Sequence, residues 1–220
     1  MATGSAKANR RAGQRLRHLL RRERELWDAG LRRVGGVDEV GMGPLAGPVV
    51  AAAVIFPPGD GIRGVDDSKK LTAKRRDELA RQIREAALAW AVMPVDPQEI
   101  DTLNIYQASL EAMRRAVARL SVAPDYLLVD GRKALGLSIP EEAVVKGDAR
   151  CHAIAAASIL AKTERDALMV RYDGEYPGYD FSVHKGYPTT AHRDAIKRLG
   201  PSPIHRRSFT LIPQPTLWDW

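Results

Sequence analysis

Only one cysteine, Cys151, occurs in the 220 residues. No intramolecular disulfide can form, and a single thiolate cannot build a metal site. Every apolar run is far shorter than the roughly 20 residues a membrane helix requires. Both absences fit a cytoplasmic protein with no membrane role. Residues 1–22 lack acids entirely; an arginine-rich, acid-free start also reads as a mitochondrial transit peptide, which stays open as an alternative. The same stretch has no apolar core of about 7–15 residues, which excludes a secretory signal. Residues 34–220 lack net charge, with 24 basic and 24 acidic side chains, so the overall +7 belongs to residues 1–33, where ten Lys/Arg face three acids. Such an arm attracts phosphate backbones without reading their sequence, or serves only as a solubilising tail. At 45% hydrophobic and 28% charged content, the remainder is ordinary globular protein.

The patterning predicts three regions: a basic arm over 1–33, one folded domain over 34–212 and a tail over 213–220. Residues 1–9 are small and polar and are expected to be disordered. Leu16, Leu19, Leu20, Leu26 and Trp27 recur at helical spacing from about Arg10 to Ala29, with Gly30 as the stop. Strands are expected over Val37–Val40, Val49–Phe56, Leu88–Val95, Tyr126–Val129 and Ala143–Lys146. Helices are expected from Thr72 to Ala87, Leu103 to Leu120, Arg150 to Arg171 and Pro188 to Leu199. Strands followed by alternating strand and helix make an α/β domain with a mixed central sheet.

Four acids fall where strands end. Asp38 and Glu39 sit between Val37 and Val40, Asp130 closes an apolar strand before Gly131, and Asp148 opens the long helix. Carboxylates at strand ends of an α/β sheet face the crevice where ligands bind. Each alone has another explanation: Asp148 as an N-cap, Asp130-Gly131 as a turn, Asp38-Glu39 as a solvated edge. Together they would repel one another by several kcal/mol unless cations or protons neutralise them. Oxygen-only ligands select hard ions, which points to two Mg²⁺ or Mn²⁺ ions and to phosphodiester hydrolysis.

The run Gly36 to Val50 (GVDEVGMGPLAGPVV) strongly resembles the signature of bacterial ribonuclease HII, the type 2 ribonucleases H. Asp67–Leu71 (DSKKL), Leu128–Gly131 (LVDG), Lys146–Asp148 (KGD), Ala155–Lys162 (AAASILAK), His184–Thr189 (HKGYPT) and His205–Phe209 (HRRSF) match further blocks in the family's order. The resemblance implies a ribonuclease H-like α/β sheet with a helical C-terminal portion, and it implies that Asp38, Glu39, Asp130 and Asp148 are metal-binding and catalytic. It also implies cleavage of RNA–DNA hybrids, and cleavage on the 5′ side of ribonucleotides embedded in duplex DNA, leaving a 3′-hydroxyl and a 5′-phosphate. Telling RNA from DNA means sensing the 2′-hydroxyl. The glycine-rich turn Gly41-Met42-Gly43 admits close backbone approach, and Tyr187 matches the family tyrosine that stacks at an RNA-to-DNA junction. Ser68, Lys69 and Lys70 are candidate phosphate contacts.

One position departs from the family. Methionine at 42 replaces the usual arginine of Gly-Arg-Gly and forfeits a cation with bidentate phosphate grip. Weaker or altered junction discrimination is therefore expected, and a catalytically weak hybrid-binding protein is the rival reading. A DNA nuclease or transposase on the same fold is a second rival. His184, His192 and His205 have no metal-ligand spacing and are read as structural hydrogen bonders; Cys151 is read as a small core residue, and Ala155–Ala157 as room for close helix–sheet packing. Gln214 to Trp220 (QPTLWDW) resembles tails that dock into replication sliding clamps; tryptophans folded back on the body are the alternative. A monomer is expected.

Overall fold

The computed structural model describes residues 2–212, with side chains from Arg10 onward. The clamp-tail expectation for Gln214–Trp220 lies outside the described residues. The chain runs through helices α1 (Ala2–Leu19) and α2 (Arg21–Asp28), strands β1 (Val34–Val40) and β2 (Val49–Ile55), helix α3 (Ala73–Ala86) and strand β3 (Ala89–Val95). Helices α4 (Pro97–Leu103) and α5 (Ile105–Ala118) precede strands β4 (Tyr126–Asp130) and β5 (Glu141–Val144). Three helices close the domain: α6 (His152–Glu175), α7 (Phe181–His184) and α8 (Thr190–Leu199). Among the described residues no helix is long and apolar enough to cross a membrane.

The five strands form one mixed sheet in the order β3-β2-β1-β4-β5. The β1–β2 and β2–β3 pairs are antiparallel, whereas β1–β4 and β4–β5 are parallel. Pro94, which cannot donate to a ladder, sits in the edge strand β3, where such a residue is tolerated. All seven residues of β2 are buried because both faces of the sheet are covered. Val50, Ala52 and Val54 pack with α6 and α3, while Val49, Ala51 and Ala53 pack with α5. That alternation is the two-residue period of a strand.

Small residues let α6 lie close to the sheet. A Cβ at Gly36 would stand 2.2 Å from the carbonyl carbon of Ala153, and Ala155, Ala156 and Ala157 are fully buried against the same face. The packing role read for the alanine run is thus borne out, as is the core reading of Cys151, which is 1% exposed. The N-terminal helices dock beside the start of α6, burying Leu16, Leu20, Leu26 and Trp27 with Leu128, Val144, Cys151 and Ile154.

Several boundaries differ from expectation. Helix starts at Ala2, not near Arg10, and the arm breaks at Leu20 into two helices. The helix expected from Leu103 to Leu120 is α5, which starts at Ile105, and the helix before it, α4, was not expected; the two are separate because Asn104 adopts φ +67° and its side chain accepts from the Gln107 N–H at 3.1 Å. That residue ends α4 and caps α5. Strand β5 stops at Val144, since Lys146 turns left-handed at φ +57°. Asp148 consequently lies in a short 3-10 turn, Gly147–Ala149, and the N-cap of α6 is Cys151.

Candidate active site

The parallel register Val37↔Val129 sets Asp38 of β1 beside Asp130 of β4. Asp130 in turn pairs with Val144, so the chain leaving β5 returns past it in the turn that carries Asp148. Oxygen atoms of Asp38, Glu39 and Asp130 all lie within 4.8 Å of one another. Asp148 lines the same cavity of about 240 Å³, together with Gly41, Met42, Gly43, Ser68, Lys69, Ser158 and Tyr187. Every candidate site residue read from the sequence therefore borders one cavity except Lys70, which pairs with Asp67 at 3.7 Å. Asp38 and Glu39 lie inside β1, two and one residues short of its end, not beyond it.

Backbone donors orient two of these acids. The Glu39 N–H donates to Asp38 Oδ1 at 2.7 Å, and the Gly147 N–H donates to Asp130 Oδ1 at 2.6 Å. Glycine at 147 leaves room for Ile154, whose Cδ1 would stand 2.5 Å from a Cβ there and would have to shift. Burial raises the Asp38 carboxyl well above its ordinary range, and the charges of Glu39 and Asp130 push it further. Glu39 is driven up to about 7 by burial and by Asp130, and Asp130 is raised chiefly by burial. Lys69 opposes this for both Glu39 and Asp130. A carboxylate cluster so reluctant to ionise must hold protons or cations. Its oxygen-only donor set and spacing fit hard divalent ions.

The Gly41–Gly43 turn forms one wall. Gly41 has φ +98°, and a Cβ there would fall 2.4 Å from Arg165 Nε, so both conformation and space demand glycine. Gly43 faces Tyr187, whose Cε1 lies 3.9 Å from where a Cβ would be. Met42 packs against the apolar cluster around Val37 and Val129. Ser68 is only 2% exposed and its hydroxyl hydrogen-bonds that of Ser158 at 3.0 Å, whereas Lys69 is exposed.

The three histidines are hydrogen bonders, as their spacing indicated. His184 Nε2 donates to the Tyr179 carbonyl at 2.6 Å, and His192 Nε2 meets His205 Nε2 at 3.0 Å. Sequence reasoning missed two arginines. Arg165 and Arg206 are fully buried, and neither forms an ion pair among the described residues. Arg165 donates to the carbonyls of Pro48, Ala46 and Lys185. Its signal was present: Arg165 lies four residues after Ala161 and four before Met169, on the buried stripe of α6.

The sequence model of the family described as Ribonuclease HII matches residues 35–212. A Ribonuclease HII from Anaeromyxobacter sp. is 57% identical over 92% of this chain, which spans 64% of that protein. One from Moorella thermoacetica is 54% identical over 89% of this chain and 95% of its own length. Among solved structures, the ribonuclease HII in a PCNA complex from Archaeoglobus fulgidus superposes with a TM-score of 0.72 at 29% identity, covering 85% of this chain and all of that one. The sheet, the order of its blocks and these likenesses agree: the chain belongs to the ribonuclease HII family of metal-dependent endoribonucleases.

Proposed function

We propose that this protein is a cytoplasmic endoribonuclease that cuts RNA in RNA–DNA hybrids and cuts 5′ of ribonucleotides embedded in duplex DNA, leaving a 3′-hydroxyl and a 5′-phosphate. The observation that carries the reading is the convergence of Asp38, Glu39 and Asp130 within 4.8 Å, with Asp148 on the same cavity. Asp38, Glu39, Asp130 and Asp148 would hold two Mg²⁺ or Mn²⁺ ions. Such ions supply the charge stabilisation and water activation that phosphodiester hydrolysis needs.

The chain's own groups account for the rest. Gly147 fixes the Asp130 carboxylate through its N–H. The Gly41–Gly43 turn, lacking Cβ atoms at both ends, brings backbone groups against the sugar whose 2′-hydroxyl is sensed. Tyr187 offers a ring, 36% exposed, for the neighbouring sugar, and Lys69 offers a cation for phosphate. The rival binding-only reading is disfavoured because Met42 keeps the turn packed, while a binder gains nothing from a self-repelling carboxylate cluster.

Duplex DNA bearing one ribonucleotide, incubated with Mg²⁺, Mn²⁺ or EDTA, tests the reading. Metal-dependent cleavage at that ribonucleotide is expected, with Asp130→Asn inactive. Binding without cleavage selects the rival, and cutting of all-DNA duplex selects a DNA nuclease. A protein of the same family is described in complex with PCNA, which supports Gln214–Trp220 as a sliding-clamp tail. Deleting residues 214–220 should abolish binding to purified clamp; undiminished binding would end that idea.

A further inference from the structure

Two neighbouring residues of the segment after α8 reach both walls of the sugar-facing gap. Arg206 donates from Nη2 to the Gly41 carbonyl at 2.7 Å, from Nη1 to the Met42 carbonyl at 3.2 Å and from Nε to the Gly47 carbonyl at 2.9 Å. The C=O and N–H of one trans peptide point in opposite directions. With the Gly41 and Met42 carbonyls drawn onto the guanidinium, the N–H groups of Met42 and Gly43 turn away from it. Neither N–H has a partner among the described residues, and both residues line the cavity.

His205 serves the opposite wall. His192 Nδ1 donates to the Tyr187 carbonyl at 2.9 Å, so its Nε2 must accept from His205 Nε2 at 3.0 Å. His205 Nδ1 is then left as an acceptor, and it receives the Ser202 N–H and hydroxyl, each at 2.8 Å. One unbroken run of donors and acceptors therefore joins Ser202 to the Tyr187 backbone, with every tautomer fixed. The segment itself is anchored: the Arg206 N–H donates to the Leu45 carbonyl at 2.9 Å, and the Gly47 N–H donates to the Ile204 carbonyl at 2.9 Å.

We infer that Arg206 and His205 are positioning residues that set the gap between the Gly41–Gly43 turn and Tyr187, and thereby the rate at which a ribonucleotide is cut. The inference rests on the proposed endoribonuclease function. An uncompensated buried guanidinium is costly, and of its three hydrogen bonds two hold the Gly41 and Met42 carbonyls of the turn that lines the cavity. Lysine cannot replace it, because one ammonium cannot span three carbonyls in a fixed plane.

The test uses the full chain with Arg206→Lys and His205→Leu, each checked for folding by thermal melting and for Mn²⁺ affinity by calorimetry. Cleavage is read on duplex DNA containing one ribonucleotide. Misplacing a sensing group by about 1 Å costs on the order of 100-fold. We expect kcat to fall roughly 10- to 100-fold in either variant, with Mn²⁺ affinity unchanged. His205→Gln keeps a donor for His192 and should recover part of the rate. Unchanged kcat in folded variants overturns the inference. So does a parallel loss of Mn²⁺ affinity, which would make both residues supports of the carboxylates instead. If Arg206→Lys does not fold, His205→Leu and His205→Gln decide alone. A parent that cuts no ribonucleotide substrate with metal present removes the underlying function, and is distinguished by that control.

Discussion

Glu23 of α2 is 2% exposed, and it accepts the N–H of Ala153, in the first turn of α6, at 2.9 Å. Its second oxygen, Oε2, has no partner among the described residues. Two effects compete at this carboxyl. The N-terminal end of α6 favours a negative charge by about 1 kcal/mol, up to ~2 where partly buried. Burial opposes the charge and wins, lifting the group from 4.5 to about 7. At about 1.4 kcal/mol per tenfold, ionising Glu23 in the folded protein costs on the order of 3 kcal/mol. The unfolded chain releases this proton near 4.5 and the folded chain near 7, so the folded state binds more protons between those values. Stability falls as pH rises through that window. Glu23→Gln keeps the acceptor for Ala153 and removes the ionisation. The variant should unfold at a higher temperature than the parent at pH 8, by the equivalent of about 2–3 kcal/mol, and match it within error at pH 4.5. Calorimetric or circular-dichroism melts across that range give the difference directly. A variant whose stability relative to the parent is the same at both pH values would refute the argument, since burial would then leave the folded-state ionisation of Glu23 unshifted.

Gly36→Ala forces a methyl to within 2.2 Å of the Ala153 backbone, and should cost about 3 kcal/mol or prevent folding; a melting temperature equal to the parent's would contradict the packing described. His152, His192 and His205 are each buried and depressed to about 4. The unfolded chain takes up these protons first as pH falls below about 6.5, so their contribution is lost between there and 4; replacing His205 by Leu should flatten the acid limb of a stability-versus-pH curve. Met42→Arg should tighten binding to a ribonucleotide-containing duplex by about 1–3 kcal/mol if the family arginine acts through its side chain; unchanged binding and cleavage would assign the turn's work to its backbone.

The four acids were legible because two kinds of signal coincide at them: carboxylates set in or close after apolar runs, and motif blocks in a recognisable order. Chain breaks were less legible. Asn104 reads as an ordinary polar residue in the first turn of one helix, and only its φ of +67° divides α4 from α5. Asp148 has the composition of an N-cap, yet the left-handed turn at Lys146 displaces the helix start to Cys151. The roles of Arg165 and Arg206 depend on carbonyls more than 100 residues distant in sequence, and no local pattern encodes such partners. The histidines occupy a middle position: their lack of ligand spacing favoured structural hydrogen bonding, while the relay they form emerges only when α8 and the segment after it come together.

The match to the family begins at residue 35, but the packed hydrophobic core begins earlier. Leu16, Leu20, Leu26 and Trp27 complete a cluster whose other half belongs to β4, β5 and α6, and Arg15 reaches across to Asp66 and to the Ala149 carbonyl beside the Asp148 turn. A chain trimmed to the shared family segment would expose that greasy seam to solvent. It would also free both loops flanking the acidic cavity, so such a fragment should express as aggregate. The arginine-rich extension is thus a buttress of the nuclease body.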